Sequence, residues 1–198
     1  MLLTASNLYG SALQVLAISV QGPAGLSSGK PPAATTGRHY SFTVTTYGYP
    51  VPSITESGAL PTGLTFTSKG DGKAVLSGVP KAGSGGLHSI TVTVSNSLGK
   101  AVGHYSLAVG QAPTITSAAS ASAVYGKAFS FTVKTAGYPH PSLTHSSLPA
   151  GLKWANNGNG TATISGIPGA KDIGIHHITI TASNSSGKNS QVLKLTVS

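Results

Sequence analysis

Apolar and polar residues alternate along most of this chain, in short runs. Tyr40, Phe42 and Val44 are separated by Ser41, Thr43 and Thr45, and Ile90, Val92 and Val94 by Thr91, Thr93 and Ser95. A period of two sends successive side chains to opposite faces, so each run predicts a strand with one buried and one wet face. Gly, Pro, Asn and Asp break the runs every 8–12 residues or so, the spacing of an antiparallel sandwich. Lys69-Gly70-Asp71-Gly72 and Asn157-Gly158-Asn159-Gly160 predict tight hairpins, because Asp-Gly and Asn-Gly supply the positive φ such turns need. Pro50, Pro52, Pro61 and Pro80 fall between runs, where a missing N–H costs little.

The pattern also repeats at long range. TASN ends at Asn7, TVSN at Asn96 and TASN again at Asn184, spacings of 89 and 88 residues, and each is followed three residues on by Gly10, Gly99 and Gly187. SFTV recurs at Ser41 and Ser130, and GYPVPS at Gly48 returns as GYPHPS at Gly137. LPTGLTF at Leu60 matches LPAGLKW at Leu148, LSGVP at Leu76 matches ISGIP at Ile164, and ITVTVSN at Ile90 matches ITITASN at Ile178. Two complete units result, 22–110 and 111–198, each expected to hold about seven strands. Shifted by 177, residues 4–20 lie on 181–197. Leu16, Ile18 and Val20 then fall on Leu193, Leu195 and Val197, and Met1, Leu3 and Ala5 on Ile178, Ile180 and Ala182. Residues 1–21 are therefore expected to be the last β-hairpin of a preceding, incomplete repeat. Asn96 and Gly99 bracket the last hairpin of the first unit and predict a turn with Gly99 in the left-handed position.

Composition narrows the chemistry. Lys and Arg total 12 against three acids, Glu56, Asp71 and Asp172, for a net charge of +9, yet charged residues are only 8% of the chain. The basic residues are spread singly from Lys30 to Lys194, without the clustering or aromatic interleaving of a nucleic-acid footprint. No nucleic-acid partner is expected; solubility and weak, salt-sensitive attraction to anionic polysaccharide are. Cysteine is absent, which removes disulfides, thiolate metal sites and a thiol nucleophile. The first charge is Lys30 and Gln14 interrupts the opening apolar run, so neither a basic signal-peptide start nor a membrane-spanning run is present, and no membrane insertion is expected.

Candidate reactive groups are few. Histidines stand at 39, 88, 104, 140, 145, 176 and 177. Adjacent residues of a strand face opposite ways, so His176 and His177 are not expected to chelate one ion, and no acid completes a set of four ligands. Calcium needs six to eight oxygens, which three scattered acids do not supply. Glu56 has no acidic counterpart in the second unit, where His145 or Ser146 falls, so no carboxylate pair for hydrolysis is expected. No G-x-S-x-G turn frames a serine nucleophile. A lysine–asparagine crosslink would need a nearby buried acid, and the second unit has only Asp172, in an expected loop. The reading is a non-enzyme without catalytic residues, metal or cofactor. Sugar binding needs exposed aromatics; Tyr47, replaced by Ala136 in the second unit, and Tyr49 are the candidate glycan contacts.

The order GYPxPS, LPxGL, a G-D/N-G turn, SGxP and a TxTxSN-xx-G hairpin resembles the He_PIG-type immunoglobulin-like domains of bacterial hemagglutinin-like surface proteins. The likeness covers both units and the opening hairpin. It implies an all-β chain of tandem immunoglobulin-like antiparallel sandwiches arranged as a rod, extracellular or on the cell surface, serving as stalk, spacer or adhesive arm without catalytic residues. Two departures stand out. The disulfide beside a strand-C Trp of antibody domains is missing, the lone Trp154 replacing Phe66 in an expected core position. His88 and His176 occupy the place where such repeats often carry a corner tyrosine.

The junction Val109-Gly110-Gln111-Ala112-Pro113 leaves little slack between units. Expected partners are neighbouring repeats of the same parent protein. The apolar face of 1–21, with Leu13, Val15, Leu16, Ile18 and Val20 as candidate strand-pairing residues, adds a second reading, pairing with another copy of the chain by strand complementation. Binding of anionic cell-surface glycans is the third.

Overall fold

The computed structural model describes residues 1–198 throughout. Its first two strands, β1 (Leu2–Asn7) and β2 (Gly10–Val15), form an isolated antiparallel hairpin. Eight strands follow as a unit: β3 (Gly22–Leu26), β4 (Ala34–Thr35), β5 (Tyr40–Tyr49), β6 (Ser53–Gly58), β7 (Leu64–Ser68), β8 (Lys73–Gly78), β9 (Gly86–Asn96) and β10 (Gly99–Ile115). The sheet β3-β5-β8-β7 faces the sheet β4-β10-β9-β6. The last residues of β10 open the second unit, which continues with β11 (Ser120–Ala123), β12 (Phe129–Tyr138), β13 (Ser142–His145), β14 (Leu152–Asn156), β15 (Thr161–Gly166), β16 (Gly174–Asn184) and β17 (Gly187–Val197). Here β10-β12-β15-β14 faces β11-β17-β16-β13.

Each unit has eight strand segments rather than seven because its first strand is split. β3 pairs antiparallel with β5, and after a break the chain crosses to the other sheet, where β4 pairs parallel with β10. The second unit repeats this, with the end of β10 on β12 and β11 parallel to β17. Parallel first and last strands make the chain enter a unit at one pole and leave at the other.

The period-two pattern becomes two separate cores. Val44, Ile90, Val92, Val94, Leu107 and Val109 are buried in the first, and their counterparts Val133, Ile178, Ile180, Ala182, Leu195 and Val197 in the second. Burying such a side chain contributes about 1.5–3 kcal/mol. Size changes compensate: Val92 becomes Ile180 while Val94 becomes Ala182, and Phe66 becomes Trp154, half-buried against the second core.

The LPxGL and SGxP motifs have a steric origin. Gly63 and Gly78 press together at the start of β7 and the end of β8, both with positive φ (+95° and +139°). A Cβ on either would collide with backbone, on Gly78 with the carbonyl oxygen of Gly63 and on Gly63 with that of Val79, and Val79 N donates to Gly63 O at 3.1 Å. Gly151, Gly166 and Ile167 repeat the arrangement.

Candidate functional site

The recurrent asparagine explains the recurrent phrase. Asn96 sits at the end of β9, where its Nδ2 donates to Gly22 O (2.9 Å) and Pro50 O (3.0 Å) and its Oδ1 accepts from Leu98 N (3.0 Å) and Gly99 N (3.1 Å). One side chain thus ties the β9–β10 turn to the entering strand and to the β5–β6 loop. Asn184 repeats it, donating to Gln111 O and Pro139 O, both at 2.8 Å, and accepting from Ser186 N at 2.9 Å. The expectation that Gly99 supplies a left-handed turn residue is corrected, since Gly99 is not among the positive-φ glycines. The asparagine side chain closes the turn instead, and glycine serves close approach, because a Cβ on Gly99 would meet Pro23 Cβ at 3.0 Å.

The histidines at the corner position take over the bond expected of tyrosine. His88 Nε2 donates to Ser84 O at 2.9 Å and His176 Nε2 to Asp172 O at 2.7 Å, each four residues upstream. Asp172 ends a short 3-10 turn (Ala170–Asp172) rather than lying in an open loop; it is buried, and its carboxylate accepts from Gly169 N at 2.9 Å and Ala150 N at 3.1 Å. Its oxygens are engaged in holding backbone. His176 is half-buried and His177 exposed on the opposite face of β16.

Glu56 and His145 occupy the same place, opposite Val92 and Ile180. His145 stacks on Trp154 with centroids 4.6 Å apart. Burial pushes the Glu56 carboxyl above its ordinary value, and its Oε1 is buried without a hydrogen-bond partner. Asp71 forms an exposed ion pair with Lys73 at 3.7 Å. No three His, Asp or Glu side chains come together as ligands for a metal ion.

The hairpin keeps the register of its counterparts. Leu3 pairs with Gln14 and Asn7 with Gly10, as Ile180 pairs with Gln191 and Asn184 with Gly187. All of residues 1–21 are exposed. The five candidate pairing residues divide between the faces: Leu13 and Val15 lie on one side of β2, and Leu16, just past its end, follows Leu3 on the other. Ile18 and Val20 lie beyond the strand, 70% and 82% exposed. Asn7 keeps only the turn bond, accepting from Tyr9 N at 2.8 Å.

Tyr47 and Tyr49 point outward from β5, 61% and 50% exposed. The Tyr47 ring lies across Gly25, its ladder partner, in the space a Cβ there would need. In the second unit the pair is Thr114 and Ala136. Large-on-glycine and small-on-threonine fill the same patch of sheet, and that exchange was legible from the sequence once register is known. Gln111 was not singled out from the sequence. Its Oε1 accepts from Gly83 N (2.8 Å) and Gly85 N (3.1 Å) of the first unit. The available signal was that its structural counterpart is Gly22, so the residue serves the junction and not the fold.

The class these features define is a tandem of immunoglobulin-like sandwiches. The chain belongs to the He_PIG family, described as "Putative Ig domain", whose pattern matches residues 18–110 and 112–198. Among solved structures it is similar to a two-domain titin fragment, at TM-score 0.65 and 15% identity over 89% of this chain and 100% of that one. A second titin Ig tandem gives TM-score 0.61 at 13% identity over 91% and 99%. A three-domain titin fragment gives 0.61 at 18% identity over 98% of this chain and 72% of that one. These likenesses show the fold. No curated protein matches the chain.

Proposed function

We propose that the chain is a non-enzymatic stalk or spacer segment of a bacterial cell-surface or secreted multi-repeat protein, with residues 1–21 the final hairpin of a further repeat. The observation that carries this reading is β10, one strand that closes the first unit and opens the second. Sandwiches entered and left at opposite poles add length with each copy. Eleven-residue strands such as β9 span about 36 Å. An epitope displayed on a cell above one, two or three copies of residues 1–198 should rise by about 70 Å per copy, taking two such units at that strand length. A height independent of copy number would overturn the reading.

Two further readings rest on particular surfaces. The exposed hairpin, apolar on both faces, suits strand complementation with another copy and a filament. Light scattering of the intact chain and of residues 22–198 decides it: monomers in both cases exclude the filament. The flat, open Tyr47 ring with Tyr49 beside it suits stacking on an anionic surface glycan. A glycan array with Tyr47→Ala as comparison tests it, and absence of binding removes it.

A further inference from the structure

We infer that Gln111 is a clamp that fixes the orientation of the two units, so that residues 22–198 move as one rigid body. The argument goes beyond the spacer reading and stands without it.

At this junction no residue is left over to act as a linker. Gly110 O accepts from Thr36 N of the first unit at 2.9 Å, and the next carbonyl, Gln111 O, accepts from Asn184 Nδ2 of the second at 2.8 Å. The last anchor of one unit and the first anchor of the other are consecutive residues. The Gln111 side chain then reaches back, and its Oε1 takes two backbone N–H groups, Gly83 and Gly85, from the loop before β9. One residue therefore grips both units, by side chain on one side and main chain on the other.

Two glycines make room for the grip. A Cβ on Gly85 would fall 2.6 Å from Gln111 Cβ, and a Cβ on Gly110 would fall 2.6 Å from Ser186 Oγ in the β16–β17 turn of the second unit. The turn thus rests directly on the junction strand. Turning one unit against the other about residues 110–111, with Gln111 held to the second unit by Asn184, would break the two bonds from Gly83 and Gly85 to Gln111 Oε1 and disturb the seat of Ser186 on Gly110.

The equivalent place before the first unit lacks the device. Structural register puts Gly22 where Gln111 stands, and Gln21 where Gly110 stands. Gly22 O still accepts from Asn96, but no side chain is present to reach back. Residues 16–20 accordingly belong to no strand, whereas β10 runs through its junction as a continuous element. The chain has one locked joint and one unlocked.

Residual dipolar couplings of the uniformly labelled 198-residue chain test this. In the parent, amides of both units should fit a single alignment tensor. Gln111→Met keeps length and removes the acceptor, so the two units should need separate tensors of different magnitude while each unit's own couplings still fit its fold. Gln111→Glu keeps an acceptor for Gly83 and Gly85 and should retain the common tensor. Separate tensors in the parent, or a common tensor surviving in Gln111→Met, would overturn the clamp. If Gln111→Met loosens the second unit itself, its internal couplings no longer fit; Gly85→Ala, which sets a Cβ 2.6 Å from Gln111 Cβ from the first unit's side alone, then carries the test, with separate tensors expected and a common one contradicting.

Discussion

Asn184→Ala should cost the second unit most of one asparagine's tie, and the chain contains its own control. Asn184 makes three hydrogen bonds, to Gln111 O, Pro139 O and from Ser186 N, spanning 2.8–2.9 Å. Each such bond contributes about 0.5–1.5 kcal/mol net, and carbonyls left without a partner add to the loss. The expected cost is about 2–3 kcal/mol. A domain of this size loses 4–8 °C per kcal/mol, so its melting point should fall by roughly 10–20 °C. Trp154, the single tryptophan, lies in the second unit and half-buried, so its fluorescence follows that unit while circular dichroism follows both. Asn184→Ala should move the fluorescence transition; Asn96→Ala, which loses four bonds in the first unit, should move only part of the dichroism. Asn7→Ala removes one exposed bond and should shift neither by more than about 0.5 kcal/mol. If Asn184→Ala melts within a degree or two of the parent, or Asn7→Ala is equally damaging, the staple does not hold the turn.

Three further outcomes follow from the same geometry. Glu56 has a folded pKa above its unfolded value of about 4.3, so the first unit is favoured below that value and loses the contribution as pH rises through the folded pKa; Glu56→Gln should therefore raise the first transition at pH 7 and be neutral near pH 3.5, and no gain at pH 7 would contradict this. Gly166→Ala, at φ +145° against the Gly151 backbone, should cost about 2–4 kcal/mol, whereas Gly158→Ala, at φ +76° in open space, should cost about 1–2 kcal/mol in urea titrations; equal costs would refute the close-approach account. Under end-to-end load the parallel patches are sheared, and β4–β10 has two paired residues where β11–β17 has four, so force spectroscopy should show the first unit yielding at the lower force.

The alternation of Tyr40, Phe42 and Val44 and the three SN-xx-G phrases made the sandwiches and their serial order readable in one dimension, because a buried face and a recurring turn leave local marks. Pairings between distant residues left none. Even at short range the sequence placed His88 and His176 at the corner-tyrosine position without showing that the shorter imidazole still reaches the carbonyl four residues back. Gly99 looked like a turn glycine, yet its role depends on Pro23, 76 positions earlier. Gln111 did not stand out within the short junction because its partners, Gly83 and Gly85, offer only backbone, which any sequence carries.

Small-angle scattering of the 198-residue chain tests most directly whether the two units stand in series. Two units of 89 and 88 residues, each compact and centred about one strand length apart, give a radius of gyration above about 20 Å, with a shoulder in the distance distribution. A value near 16 Å, roughly that of one compact domain of 198 residues, with a single symmetric peak would contradict it.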